Sequence, residues 1–217
     1  ELIMSHIAVI DYGMGNLRSV SKALETVANG IAVEVTADPA RILSASHVIF
    51  PGVGAIRDCV AELSRLQLDD VLRDVIVSGK PVLGICLGMQ ALLRHSEENN
   101  GTEGLDLVSG EVRHFDIKPD DNGEHLKVPH MGWNEVEQTS VHPIWKDIEQ
   151  NSRFYFVHSY FVEPDDQSVI AATTHYPDSF CSAIAKGNLF AVQFHPEKSQ
   201  HVGLKLLENF LNWDGQS

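Results

Sequence analysis

The first half of the chain repeats one pattern: a short apolar run, then a longer segment with apolar residues at helical spacing. Strands that alternate with helices need crossover connections, so they lie parallel in one sheet with helices on both faces. His6 to Asp11 (HIAVID) is the first expected strand, followed by a helix from about Asn16 to Ala28. Ile31 to Thr36, His47 to Phe50 and Pro81 to Ile85 are further expected strands. Between the last two, Ile56 to Val77 carries Val60, Leu63, Leu66, Val71, Leu72, Val75 and Ile76, which predicts helix.

The second half changes character. Leu107 to Phe115, Lys127 to Glu137, Arg153 to Val162, Val169 to His175 and Cys181 to Phe194 read as strands, the last with a hairpin turn at Lys186-Gly187-Asn188. Pro119 to Glu124 (PDDNGE) reads as an exposed loop rather than a domain boundary. From His201 to Trp213 an apolar stripe at Val202, Leu206, Phe210 and Trp213 predicts a last helix. The expected fold is α/β: a mostly parallel, doubly wound sheet with helices on both faces, plus a β-rich insertion before the C-terminal helix. No internal repeat divides it, so one domain from Met4 to Trp213 is expected.

Composition narrows the function. The chain has 217 residues, enough for one substantial core, and a formal net charge of −14, which argues against nucleic acid as the main ligand. No apolar stretch approaches the ~20 residues of a membrane-spanning helix. Three irregularly placed cysteines suggest no disulfide framework, so a reducing cytoplasm is the expected location. Met4 opens a sensible reading frame, so Glu1 to Ile3 are expected to be a cloning remnant.

Chemistry concentrates at Lys80 to Leu93 (KPVLGICLGMQALL), where a buried strand ends in Gly84-Ile85-Cys86-Leu87-Gly88 and a helix is expected at once. This has the shape of a nucleophile elbow with cysteine in place of serine. A tight, strained turn lifts the nucleophile clear of the sheet, and flanking glycines relieve the crowding. The sulfur then lies at a helix N-terminus, which favours thiolate, and the Leu87 N–H can receive an oxyanion. A lone cysteine is more often core filler. Cys59, in a helical pattern, and Cys181, in a strand pattern, are assigned to that role.

A thiolate needs a base. Most of the eleven histidines lack a distinctive setting, and no H-E-x-x-H or C-x-x-C spacing marks a metal site. His195 ends the apolar run Leu189 to Phe194 and precedes Pro196-Glu197, so it sits at a strand end, where α/β active sites assemble. Glu197, past a rigid proline, could turn back and orient the imidazole. The bland alternative is a loop histidine beside a surface glutamate. Val48 to Gly54 (VIFPGVG) puts glycines just after another strand, where backbone N–H groups can be presented to a ligand. Gly13-Met14-Gly15 begins like a dinucleotide fingerprint, but Arg18 stands at the third glycine position.

Pro51 to Gly54 (PGVG), Gly84 to Gln90 (GICLGMQ) and Phe194 to Glu197 (FHPE) together resemble the class I, triad-type glutamine amidotransferases, in that family's order and spacing. Ile10 to Val20 (IDYGMGNLRSV) and Pro129 to Asn134 (PHMGWN) are similar to the glutaminase subunits of imidazole glycerol phosphate synthases within it. The resemblance runs from about Ser5 to Trp213. It implies that Cys86 attacks the carboxamide of L-glutamine, that His195 relays protons and that Glu197 orients it. It further implies an oxyanion site at Leu87 and the Gly52-Val53-Gly54 turn, and substrate contacts from Gln90 and the backbone of Ser159 and Tyr160. The implied partner is a TIM-barrel cyclase subunit, forming a heterodimer that takes up the ammonia, met through Asn16, Pro129, His130, Met131, Trp133 and Asn134. No metal or organic cofactor is implied.

Three rivals compete. A glutaminase serving another synthase, such as those for pyridoxal phosphate, anthranilate or guanylate, would not be expected to carry GMGN and PHMGWN. A stand-alone cysteine hydrolase should turn over without a partner. A non-catalytic module should have lost Cys86, His195 or Glu197.

Overall fold

The computed structural model describes residues 5–119, 121–124 and 126–216; Glu1 to Ile3 lie outside them. Strands β1 (His6–Ile10), β2 (Ala32–Thr36), β3 (His47–Phe50) and β4 (Val82–Ile85) carry the first half. Between them lie helices α1 (Leu17–Val27), α2 (Pro39–Ser44), α3 (Ile56–Arg65) and α4 (Leu68–Val77). Past β4 come the short α5 (Leu87–Gln90), then β5 (Leu93–Ser96), β6 (Thr102–Glu103), β7 (Val108–His114) and β8 (His130–Gln138). The chain continues through β9 (Ser152–His158), β10 (Tyr160–Pro164), β11 (Ile170–His175), β12 (Ser179–Lys186), β13 (Leu189–Val192) and α6 (Gln200–Asn212).

The sheet is mixed. Its doubly wound part runs in the order β2-β1-β3-β4-β13, all parallel, and β13 then pairs antiparallel with β12. The β-rich insertion continues the same sheet through β10, β7, β5 and β6, with β11, β8 and β9 branching from β12. The inner parallel strands β1, β3, β4 and β13 are buried and largely apolar on both faces because each face is covered, whereas β2, at the edge, is half-exposed and carries Glu34. In β1, Ala8 and Ile10 join a core with α2, α3 and α4, while Ile7 and Val9 join one with α1 and α6. That period of two recurs in β13, where Leu189 and Ala191 face one core and Phe190 and Val192 the other.

Three expectations need correction. The helix expected over Ile56 to Val77 is two helices, broken where Gln67 takes a left-handed conformation (φ 59°). The stripe slips there, from Leu66 to Val71, and the break lets both Leu63 and Leu68 reach the core. The helix after Cys86 lasts one turn, because Leu93 to Ser96 leave it to pair with β7. The strand expected over Arg153 to Val162 is two, interrupted at Ser159. Helix α2 had its signals in plain view, with Pro39 in its first turn and the Asp38 carboxylate accepting the Ala40 N–H at 3.0 Å.

Candidate active site

Parallel strands end on the same edge, and three neighbours, β3, β4 and β13, deliver Gly52 to Gly54, Cys86 and His195 there. Cys86 adopts φ 55° and ψ −110°, a conformation an L-residue takes only under strain. The turn is held by close approach. A Cβ on Gly88 would run into the carbonyl oxygen of Phe50, and one on Gly52 into the Tyr12 hydroxyl. Tyr12 itself donates its hydroxyl to the Pro51 carbonyl at 2.6 Å, pinning the turn after β3.

His195 is buried at the end of β13. Its N–H donates to the Tyr155 carbonyl at 2.9 Å, and its own carbonyl accepts the Ser199 hydroxyl at 2.6 Å. Its Nδ1 lies 2.7 Å from Glu197 Oε1, and both side chains are 1% exposed. Nε2 is buried without an ordinary hydrogen-bond partner among the described residues. Burial pulls the imidazolium down, but the neighbouring Cys86 sulfur and Glu197 carboxylate outweigh it, so the ring is held well above its usual range. The helix expected to follow Cys86 is the single turn α5, so its macrodipole is small.

Cys86 opens on a cavity of about 290 Å³, also lined by Val53, Gly54, Leu87, Gln90, Glu98, Val157, His158, Ser159, Tyr160 and His195. Nearly all the expected substrate and oxyanion residues thus line one cavity. One expected oxyanion donor is not free. The Leu87 N–H is already given to the Gly52 carbonyl at 3.3 Å.

Sequence reasoning missed Glu98, Gln193 and Tyr12. Gln193 is fully buried two residues before His195, and its Nε2 lies 3.7 Å from Cys86 Sγ while its Oε1 accepts from Gln90 at 3.1 Å. A glutamine inside the apolar run LFAVQF was the available signal. Nothing in HSEENN singled out Glu98, the one acidic side chain on the cavity wall among the described residues.

The expected interface residues divide. Met131 and Trp133 are 62% and 42% exposed on one face of β8, opposite Val157 and Tyr155 of β9. Asn16 and Pro129 are half-buried. His130, expected at the surface, is buried, because alternation along β8 turns it inward among Phe115, Phe156 and Tyr176. Asn134 is half-buried and bonded to it. Cys59 and Cys181 are buried free thiols, each pushed up to about 12 by burial, so both stay unreactive as expected.

Comparison with known proteins gives the family. The family model for class-I glutamine amidotransferases matches residues 8–213. The imidazole glycerol phosphate synthase subunit HisH of Nitrosococcus oceani is 58% identical over 99% of this chain and 100% of the relative. The subunit of the same name from Pseudomonas putida is 56% identical over 98% of this chain and 100% of its own length. Among solved structures, PurLQS from Thermotoga maritima superimposes with a TM-score of 0.70 at 18% identity, covering 97% of this chain and 99% of that one. The Trypanosoma brucei CTPS glutaminase domain, solved with bound acivicin, gives 0.65 at 18% identity, over 98% of both chains. The chain belongs to the class-I glutamine amidotransferases and, within them, to the HisH glutaminase subunits of imidazole glycerol phosphate synthase.

Proposed function

We propose that Cys86, His195 and Glu197 form the catalytic triad and that the span from Met4 to Trp213 works as one domain. The observation that carries this reading is the buried His195–Glu197 pair, 2.7 Å apart, beside a strained cysteine that opens on a cavity. Cys86 Sγ attacks the carboxamide carbon of glutamine, and the C=O electrons move onto oxygen. His195 Nε2 gives its proton to the departing nitrogen, leaving a thioester and ammonia. His195 then takes a proton from water, which hydrolyses the thioester to glutamate. Glu197 keeps the ring oriented through Nδ1.

The substrate's amino-acid end is held by the Ser159–Tyr160 backbone, with Glu98 facing its ammonium and Gln90 beside its chain. Oxyanion stabilisation comes from Leu87 and Val53 N–H groups once the Gly52–Val53 peptide has turned over. The ammonia passes to a TIM-barrel cyclase subunit, which makes imidazole glycerol phosphate and an aminoimidazole carboxamide ribotide. Met131 and Trp133 dock that partner in a heterodimer, with Asn16 and Pro129 at the rim. Buried free cysteines fit a cytoplasmic site for this chemistry.

The test is Cys86→Ala in the complex with the cyclase. Glutamine-dependent synthesis should vanish while synthesis from added ammonium salt persists. Loss of the ammonium-dependent reaction in a folded complex would contradict the division of labour.

A further inference from the structure

The strand that carries Met131 and Trp133 is joined to the nucleophile cavity by a line of hydrogen bonds whose direction follows atom by atom. Tyr160's carbonyl oxygen lies 2.7 Å from His158 Nδ1. A carbonyl only accepts, so Nδ1 carries the hydrogen and, in a neutral ring, Nε2 is left as acceptor. His130 Nδ1 stands 2.9 Å from that Nε2 and is therefore the donor, which leaves His130 Nε2 to accept. Asn134 Nδ2 supplies it at 3.2 Å and also reaches the His175 carbonyl at 3.0 Å. The amide's orientation is fixed because its oxygen accepts the Glu135 N–H at 2.8 Å.

The line meets a second one at Tyr160. Gln90 Nε2 donates to the same carbonyl at 3.1 Å and to Gln193 Oε1 at 3.1 Å, and Gln193 Nε2 reaches toward Cys86 Sγ at 3.7 Å. One carbonyl is thus gripped from the nucleophile side and from β8. Burial keeps both rings neutral, pushing His130 down to about 4 and His158 down to about 3. The His130 ring is stacked on Tyr176, centroids 4.0 Å apart, and lies directly opposite His158 in the β8–β9 register.

We propose that His130 is a positioning residue: acting through His158, it fixes the Tyr160 carbonyl and couples the Ser159–Tyr160 corner to the strand that carries Met131 and Trp133. This rests on the glutaminase reading, in which that corner holds the amino-acid end of glutamine. Packing alone would ask only for an aromatic ring at position 130, whereas the relay requires a donor at Nδ1. A shift of β8 by a docked partner moves His130 with it, and the corner follows.

Two measurements test this. In the full-length chain at neutral pH, nitrogen-15 spectra of the imidazoles should show His130 and His158 as neutral rings protonated at Nδ1. Either ring charged, or protonated at Nε2, overturns the relay without touching the glutaminase reading. Second, Cys86 is alkylated with 6-diazo-5-oxo-L-norleucine, which has the amino-acid end of glutamine, and with iodoacetamide, which lacks it. His130→Phe should slow the first by about tenfold, one hydrogen bond's worth, and leave the second unchanged. His130→Asn, which keeps a donor at the same position, should recover part of the rate. Equal slowing of both reagents, or of neither, overturns the proposal. A wild-type chain that reacts with iodoacetamide but ignores the diazo compound overturns the glutaminase reading instead, and the role of the corner with it.

Discussion

The carbonyl oxygen of Gly52 lies 3.3 Å from the backbone nitrogen of Leu87 and accepts its N–H. A trans peptide holds its oxygen and its hydrogen on opposite sides, so the Val53 N–H points away from that of Leu87. In the proposed mechanism these two donors meet one oxyanion only once the Gly52–Val53 peptide has turned over. An oxyanion donor is worth about 10²–10³ in rate. The isolated chain should therefore hydrolyse glutamine at least about 100-fold more slowly than the complex with cyclase and its ribonucleotide bound. Steady-state rates measured with and without the partner check this, and equal rates would sink it.

Cys86 stores strain at φ 55°. Glycine accepts that conformation freely, at some cost in chain entropy, so Cys86→Gly should gain about 1 kcal/mol. For a domain of this size that raises the melting temperature by about 2–4 °C, with no glutaminase activity left. Cys86→Ala keeps the Cβ and should not gain. Calorimetry of both variants decides, and an equally stabilised alanine variant would remove strain as the cause.

Glu197 and His195 should not be equivalent. In the proposed triad the His195 ring carries the proton, so losing it in His195→Ala should cost about 10⁴ in kcat. Glu197→Gln keeps an oxygen within reach of Nδ1 and loses only the charge, so about 10² is expected. Comparable losses from the two changes would show that Glu197 does more than orient the ring.

Trp133 is 42% exposed, its ring edge-on to Tyr155 at 6.2 Å. Aromatic anchors of this kind dominate interfaces, so Trp133→Ala should weaken cyclase association by about 2 kcal/mol. It should also raise the glutamine consumed per imidazole product, while the isolated chain melts as before. A large fall in the melting temperature with unchanged cyclase affinity would give Trp133 a purely structural role.

Stability should fall in mild acid. Burial holds His158 down to about 3 and His130 and His142 down to about 4, so each binds a proton on unfolding that it lacks when folded. That penalty is absent above the unfolded value near 6.5 and grows as pH falls toward the folded values, reaching about 2 kcal/mol per ring at pH 5. His195, held high, opposes the trend only slightly, as pH falls from 7 to its unfolded value near 6.5, and below that it is protonated in both states and contributes no further change. Urea unfolding at pH 7 and pH 5 should show a loss of several kcal/mol, and equal midpoints would mean that the rings are not buried neutral.

Local pattern was enough for much of this protein. Short apolar runs between helical stripes forced the parallel sheet, since strands and helices differ in period and each must bury its apolar side. Glycines on both sides of Cys86, and His195 with Glu197 at a strand end, were legible because a strained turn and a two-residue reach are short-range features. Other features depended on residues far apart in the chain. Position 86 meets 195, and 130 meets 158, only because β4 and β13 are neighbours and β8 folds back on β9. The inward turn of His130 came from strand register, the one-turn length of α5 from the pull of β7, and the occupied Leu87 N–H from a peptide after a different strand. Hydrogen bonds and burial between distant segments are settled by the packed whole. The sequence alone determined which residues could offer the chemistry, and the tertiary structure decided which of them lie together.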